Sequence, residues 1–92
     1  MKNILVERNE QNIKCEKPVP VFINHDDSRM VGWAKVVKVK GEMFADIEFA
    51  PNATLNGKFY PSIGYHGEVL HQLGLCEKPN IDSFIPAIEI HL

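Results

Sequence analysis

Residues 31–50 read VGWAKVVKVKGEMFADIEFA, two apolar runs with a glycine between them. In the second run, the apolar residues 43, 45, 47 and 49 alternate with residues 44, 46 and 48, two of which are carboxylates. A period of two is typical of a strand with one buried face. The pattern predicts an antiparallel hairpin whose buried face includes Ala34, Val36, Ala45, Ile47 and Phe49.

The register of this hairpin should follow from its turn. Glycine at the first position of a two-residue loop suits a type II′ turn, and Gly41-Glu42 supplies that pair. Cross-strand pairs are worth about 0.2–1 kcal/mol each, so the register matters for stability. The predicted pairs are Ala34 opposite Phe49, Lys35 opposite Glu48 and Val36 opposite Ile47.

Shorter strands flank the hairpin on both sides. Apolar runs bounded by Pro, Gly and Asn predict four of them, at residues 21–24, 58–65, 68–76 and 87–92. A short opening hairpin is predicted over residues 3–15, and a single helical turn closed by glycine over residues 51–57. Many short strands with almost no helix predict a single mainly β domain, a small barrel or sandwich of antiparallel strands.

Charge and hydropathy exclude several classes of protein. The chain has 92 residues, with ten Lys and Arg against twelve Asp and Glu, and a net charge of −2. Its lysines form no cluster beyond Lys35, Lys38 and Lys40, whereas a nucleic-acid-binding protein needs a basic face. No apolar run reaches membrane-spanning length, and residues 1–10 do not resemble a signal peptide. We expect a cytoplasmic protein with neither nucleic acid nor membrane as a partner.

Several other residues that could carry chemistry favour structural roles. Cys-Glu-Lys-Pro at residues 15–18 recurs at residues 76–79, but neither copy has the second Cys or His that zinc would need. Asp26-Asp27 lacks a third carboxylate for a divalent cation, so a role in a turn is expected. Trp33 and Tyr60 are predicted to be buried core aromatics rather than a stacking pair. No metal ion or cofactor is expected.

The order of short motifs between residues 21 and 87 resembles that of a known family. No single motif is specific, and the likeness lies in their order: His25 at the end of a strand, Gly32-Trp33, Phe49-Ala50-Pro51-Asn52-Ala53, Tyr60-Pro61-Ser62, Gly67-Glu68-Val69-Leu70 and Pro79-Asn80-Ile81-Asp82. In these residues the chain resembles the Mu-like prophage I protein family, the prohead proteases and scaffold proteins of Mu-type phages. The resemblance implies an assemblin-like fold, the β-barrel of herpesvirus-type proteases.

The same resemblance implies a catalytic site. His25 matches the family histidine and Ser62 the family serine, so Ser62 would attack a peptide carbonyl with His25 as general base. Candidates for a third member are His66, His71, Glu77 and Asp82, with His71 first because its strand follows Ser62. A capsid or scaffold protein would be the substrate or partner, in a bacterial host cell or on the virion. Self-association is also expected.

Two other classes of function stay open. At 92 residues, little chain is left for helices that shape a substrate groove, which favours a non-catalytic phage-derived domain that binds another protein. An ordinary small β domain with a structural or regulatory role is the third alternative. If the resemblance extends to mechanism, His25 and Ser62 should lie on adjacent strands and face the same way, with polar atoms about 2.6–3.2 Å apart, or somewhat further apart without substrate. Their separation therefore discriminates between these classes.

Overall fold

The computed structural model describes residues 1–9, 12–79 and 84–92, and this part of the chain forms strands and turns without a helix. Within these ranges no helix is long and apolar enough to cross a membrane. The prediction of a mainly β fold built of short strands is confirmed. The described strands are β1 (Ile4–Glu7), β2 (Val19–Ile23), β3 (Met30–Val39), β4 (Glu42–Phe49), β5 (Asn56–His66), β6 (Val69–Cys76) and β7 (Ile88–His91).

These seven described strands join into one mixed sheet with the order β1-β4-β3-β2-β6-β5-β7. Strands β2 and β6 run parallel, whereas the other paired neighbours are antiparallel. The sheet curls into a half-barrel, which brings β1 towards β5. The predicted barrel or sandwich is therefore a curled open sheet.

One face of the curled sheet carries the hydrophobic core. Full burial of a Val, Leu, Ile, Phe or Met side chain stabilises a fold by about 1.5–3 kcal/mol relative to leaving that side chain exposed. Most core residues alternate with exposed or half-buried ones, which form the opposite face, here called the outer face. Consecutive residues are buried at Val31-Gly32 and at Leu73-Gly74-Leu75. The largest fully buried residues are Val6, Val21, Ile23, Met43, Ile47, Pro61, Leu73 and Leu75.

The β3–β4 hairpin has the predicted faces but a different register. Lys35 lies opposite Asp46 and Val36 opposite Ala45, two residues from the predicted partners. The loop is Lys40-Gly41, with φ values of 49° and 84°. Positive φ at both positions belongs to a type I′ turn, so the predicted type II′ turn is wrong. A shift of two residues leaves every side chain on its predicted face, because the period of a strand is two.

Two predicted local elements are wrong. Instead of forming a hairpin within residues 3–15, β1 pairs with β4, where Ile4 lies opposite Ala45. Lys14 forms a bridge to Val69 on β6. In place of the helical turn over residues 51–57 there is a simple turn, and β5 begins at Asn56. Residues 4–7 and Lys14 pair with strands that are distant in sequence, and local sequence patterns do not show such pairing.

Trp33 lies on the outer face rather than in the core. Its side chain is 52% exposed. It sits opposite Pro20 on β2 and Glu48 on β4. The prediction of a buried Trp33 is wrong, because the described elements cover this part of the sheet on one face alone. Tyr60, by contrast, is half-buried.

Candidate functional site

Two polar residues and two glycines alternate on the outer face of the β5–β6 pair. Ser62 lies opposite Gly74, and Gly64 lies opposite Gln72. Directly opposite residues in an antiparallel pair point to the same face, and so do residues two apart in one strand. These four residues are here called the Ser62–Gln72 block. Ser62 and Gln72 lie on one diagonal of the block and carry side chains, whereas the two glycines lie on the other diagonal and carry none.

The imidazole of His25 occupies the space over Gly74. A Cβ atom at residue 74 would lie 2.5 Å from both Cε1 and Nε2 of His25. Gly64 makes room in the same way for Gln72, because a Cβ atom at residue 64 would lie 2.8 Å from Cγ of Gln72. Glycine inside a strand often marks such a close approach. The two glycines thus allow two side chains to cross the strands.

The ring of His25 is oriented by a hydrogen bond. Its Nδ1 lies 3.1 Å from Oε1 of Gln72. An amide oxygen can only accept, so this contact is a hydrogen bond in the tautomer that is protonated on Nδ1, whose lone pair is on Nε2. Nε2 is also one of the ring atoms nearest to Gly74, the residue opposite Ser62. The basic nitrogen therefore lies on the Gly74 side of the ring.

His25 and Ser62 share a face but are separated by a strand. Opposite Cβ atoms are about 4.5–5.5 Å apart, which puts Nε2 of His25 within about 8 Å of Ser62 Cβ. Both side chains belong to the described residues, and no hydrogen bond joins them there. The prediction of adjacent strands is wrong, since β6 lies between β2 and β5. The ring reaches across β6 because residue 74 has no side chain.

The loop that carries His25 is held in an uncommon conformation. Asn24 and His25 have φ values of 53° and 56°, a region that is uncommon for residues other than glycine and in which Asn and His are enriched. The Asn24 side chain donates to Oε1 of Glu77 at 2.7 Å and accepts from the Glu77 backbone N–H at 2.9 Å. These bonds fix the loop to the end of β6, from where His25 turns back over the strand.

A second set of contacts closes the same loop. Oδ1 of Asp26 accepts hydrogen bonds from the hydroxyl and the backbone N–H of Ser28, at 2.7 and 3.0 Å. These bonds, with a smaller contribution from the charge of Arg29, hold the pKa of Asp26 below its ordinary value of 3.8. The turn role expected for Asp26 is therefore present, and it stabilises the segment next to His25.

The candidates for a third member lie in different places. The ring of His71 packs edge-on against His66, with ring centroids 5.5 Å apart. Glu77 bonds to Asn24, and Asp82 lies outside the described residues. The side chain that bonds to His25 is Gln72, which sequence reasoning missed. The available signal was glycine at 64 and 74, inside two strands that otherwise have strong strand patterns.

Cys76 is a further nucleophile on the outer face. It follows Gly74 by two residues and lies opposite Tyr60. Burial raises the pKa of its thiol, as it does for Cys15. Because the thiolate is the reactive form, a raised pKa makes Cys76 a weaker nucleophile. In residues 1–9, 12–79 and 84–92, no group of three or more His, Cys, Asp or Glu side chains could hold a metal ion.

A second feature of the outer face surrounds Trp33. Grooves of about 430 Å³ and about 500 Å³ lie beside its side chain, and both are lined by Trp33 and Glu48. The first groove also includes Met30, and the second includes Lys35. Neither of these grooves is lined by His25 or Ser62. This Trp33 surface is therefore distinct from the Ser62–Gln72 block.

Comparison with known proteins gives no relative for this chain. No family model, curated protein or solved structure matches it. The resemblance to Mu-like prophage I proteins stays a prediction that depends on the order of the motifs.

Proposed function

We propose that this protein is a serine peptidase related to phage prohead proteases, with Ser62 as the nucleophile and His25 as the general base. The observation that supports the proposal is the position of the His25 ring over Gly74, directly opposite Ser62. A hydroxyl becomes a useful nucleophile at neutral pH when a base can take its proton, and imidazole is well matched to that task.

The catalytic step requires a modest closure of the site. Nε2 of His25 has to approach Oγ of Ser62 to about 2.6–3.2 Å, and such bonds commonly tighten when substrate binds. His25 lies in an exposed loop, so the approach requires its ring to shift from its place over Gly74 towards β5 while Nδ1 keeps its bond to Gln72. Oγ of Ser62 would then attack the peptide carbonyl while Nε2 takes the hydroxyl proton. The proton passes to the leaving amine, and water hydrolyses the resulting ester.

The fold and substrate belong to the same proposal. The seven-stranded half-barrel would correspond to the β core of an assemblin-like fold, and the described residues include no peripheral helix. Its substrate would be a capsid or scaffold protein, in the cytoplasm of a bacterial host or within the virion. Peptide cleavage with no bound cofactor is consistent with the residue types gathered around Ser62, which supply a hydroxyl, an imidazole and a carboxamide.

Labelling with a fluorophosphonate tests the catalytic proposal. We expect a single adduct on the intact wild-type protein, mapped to Ser62 by peptide mass spectrometry. Ser62→Ala should abolish the adduct, and His25→Ala should slow its formation about 10²-fold or more. Thr54→Ala removes an exposed hydroxyl outside the block and should leave labelling unchanged. A wild-type protein that gives no adduct with excess probe would overturn the proposal.

A second candidate function is non-catalytic binding through the Trp33 surface. Trp33 and Met30 are 52% and 43% exposed, and exposed apolar patches commonly mark interaction sites. The partner we favour is a second copy of this chain. The second groove is lined by two basic and two acidic side chains, so a two-fold axis could pair opposite charges. Those side chains are Lys2, Lys35, Asp46 and Glu48.

Sedimentation across the micromolar range tests this second function. The wild-type protein should dimerise, and Trp33→Ala should shift it to the monomer with an unchanged fold. Lys38→Ala replaces an exposed residue that lines neither groove and serves as the matched control. Trp33 is the one tryptophan of the sequence, so its fluorescence reports burial directly. A monomer at all concentrations would exclude the second copy as the partner.

A further inference from the structure

We propose that Gln72 is a positioning residue, whose carboxamide holds the neutral imidazole of His25 in the tautomer that is protonated on Nδ1. The effect on catalysis rests on the proposed peptidase function. The tautomer itself does not, because it is inferred from the contact between Nδ1 of His25 and Oε1 of Gln72.

Contacts restrain both the Gln72 side chain and the His25 ring. Gln72 is half-buried, and its Cγ lies where a Cβ atom of residue 64 would be, so it crosses β5 at Gly64. Its Oε1 lies 3.1 Å from Nδ1 of His25. The ring itself is confined by the Gly74 backbone below it. A donor and an acceptor restrained from both sides form a hydrogen bond that fixes the orientation of the ring.

A hydrogen bond donated by Nδ1 leaves Nε2 as the basic nitrogen of the His25 ring. A neutral imidazole has one protonated nitrogen and one basic nitrogen. If Nδ1 donates to Gln72, the lone pair is on Nε2, which lies on the side of Gly74 and Ser62. The opposite tautomer would direct an N–H towards Ser62 and could not accept its proton. Gln72 thus has the role that Asp or Asn has in other serine and cysteine hydrolases.

The carboxamide differs from a carboxylate in one respect. It orients the ring but has no full negative charge with which to stabilise the imidazolium that forms during the reaction. Among the candidate third members that the structure describes, His71 packs on His66 and Glu77 bonds to Asn24. A His–Gln pair therefore predicts a base that is correctly oriented but only moderately activated.

Long-range proton–nitrogen correlation spectra of nitrogen-15 histidine-labelled protein test this inference at a pH where the ring is neutral. In the wild type, the His25 signals should show a protonated Nδ1 and an unprotonated Nε2. Gln72→Leu removes the acceptor and should return the ring to a mixture of tautomers. Gln72→Glu keeps an acceptor at the same chain length and should retain the protonated Nδ1. This rescue separates a positioning role from a merely structural one.

The rate of fluorophosphonate labelling gives the catalytic arm of the test. Gln72→Leu should slow labelling of Ser62 at least about tenfold, less than the loss expected for His25→Ala. A wild-type ring protonated on Nε2 would overturn the positioning role, even if Ser62 were labelled. A ring protonated on Nδ1 together with an unlabelled Ser62 would retain the positioning role and overturn the peptidase proposal alone.

Discussion

The imidazole of His25, in the loop after β2, lies against the backbone of Gly74 in β6. A Cβ atom at residue 74 would lie 2.5 Å from the ring. His25 is exposed and lies in a loop, yet its ring is restrained on two sides. The Gly74 backbone lies on one side, and Gln72 holds Nδ1 on the other. The position of the histidine is thus determined by residues almost fifty positions away in sequence.

Replacing Gly74 with alanine should displace the His25 ring while the strand stays folded. The clash involves the end of a flexible side chain, which can move, and glycine inside a strand is about 0.5–1 kcal/mol less favourable than alanine. We expect Gly74→Ala to change the free energy of unfolding by less than about 1 kcal/mol. In a His25→Ala background, the same substitution should be neutral or stabilising.

Urea unfolding of the four proteins in this double-mutant cycle measures the coupling between the two residues. Gly64→Ala in a Gln72→Ala background provides a parallel cycle at the other glycine of the block. A coupling free energy near zero between residues 25 and 74 would mean that the ring does not lie over Gly74 in solution.

Gly32→Ala should be far more destabilising, because here the obstacle is backbone. A Cβ atom at residue 32 would overlap the carbonyl oxygen of Glu48 and lie 2.9 Å from Cα of Phe49. Neither atom can move without separating β3 from β4. We expect a loss of about 2–3 kcal/mol in the free energy of unfolding. Gly64→Ala, whose clash is with a side chain, should lose less than half as much in the same urea titration.

Ile47→Asp should destabilise the fold by several kcal/mol. Ile47 is 2% exposed and lies opposite Ala34 in the core of the β3–β4 hairpin. An aspartate there would bury an unpaired charge, a cost of roughly 3–5 kcal/mol. Glu48→Asp, on the adjacent outward-facing position, should stay within about 0.5 kcal/mol of the wild type. Equal thermal stability of the two variants would contradict the assignment of faces in this hairpin.

The faces of the strands could be predicted from sequence, whereas their partners could not. Alternation in residues 43–49 determined which side chains are buried, because the period of a strand is a local property. The turn was misassigned because Lys40 adopts positive φ, which is uncommon for lysine. The parallel pairing of β2 with β6 joins segments about fifty residues apart, and no local pattern encodes it. Trp33 was misplaced because hydrophobicity alone does not show which face stays uncovered.

The site was predictable in part for a similar reason. The resemblance to Mu-like prophage I proteins suggested His25 and Ser62, and both lie on the same outer face. Gln72 could not be recognised, because an amide has no characteristic spacing to a histidine nearly fifty residues away. Gly64 and Gly74 indicate a close approach to the strands, but a glycine does not show which side chain approaches it.

Acid should remove the contribution of the Ser28–Asp26 contact to stability. The hydrogen bonds from Ser28 lower the pKa of Asp26 in the folded protein below 3.8, the value expected when unfolded. A depressed carboxyl pKa gives stability that is complete above the unfolded pKa and is lost as pH falls through the folded value. Ser28→Ala should therefore lower the urea midpoint at about pH 6, and the difference from wild type should shrink as the pH falls below 3.8. Ser28→Thr keeps the hydroxyl and should behave as wild type throughout.

Because the other carboxyl groups are the same in these proteins, their titration cancels in the comparison. A difference that grows as the pH falls would mean that Ser28 bonds to the protonated carboxyl, and the loop next to His25 would then have to be held in another way.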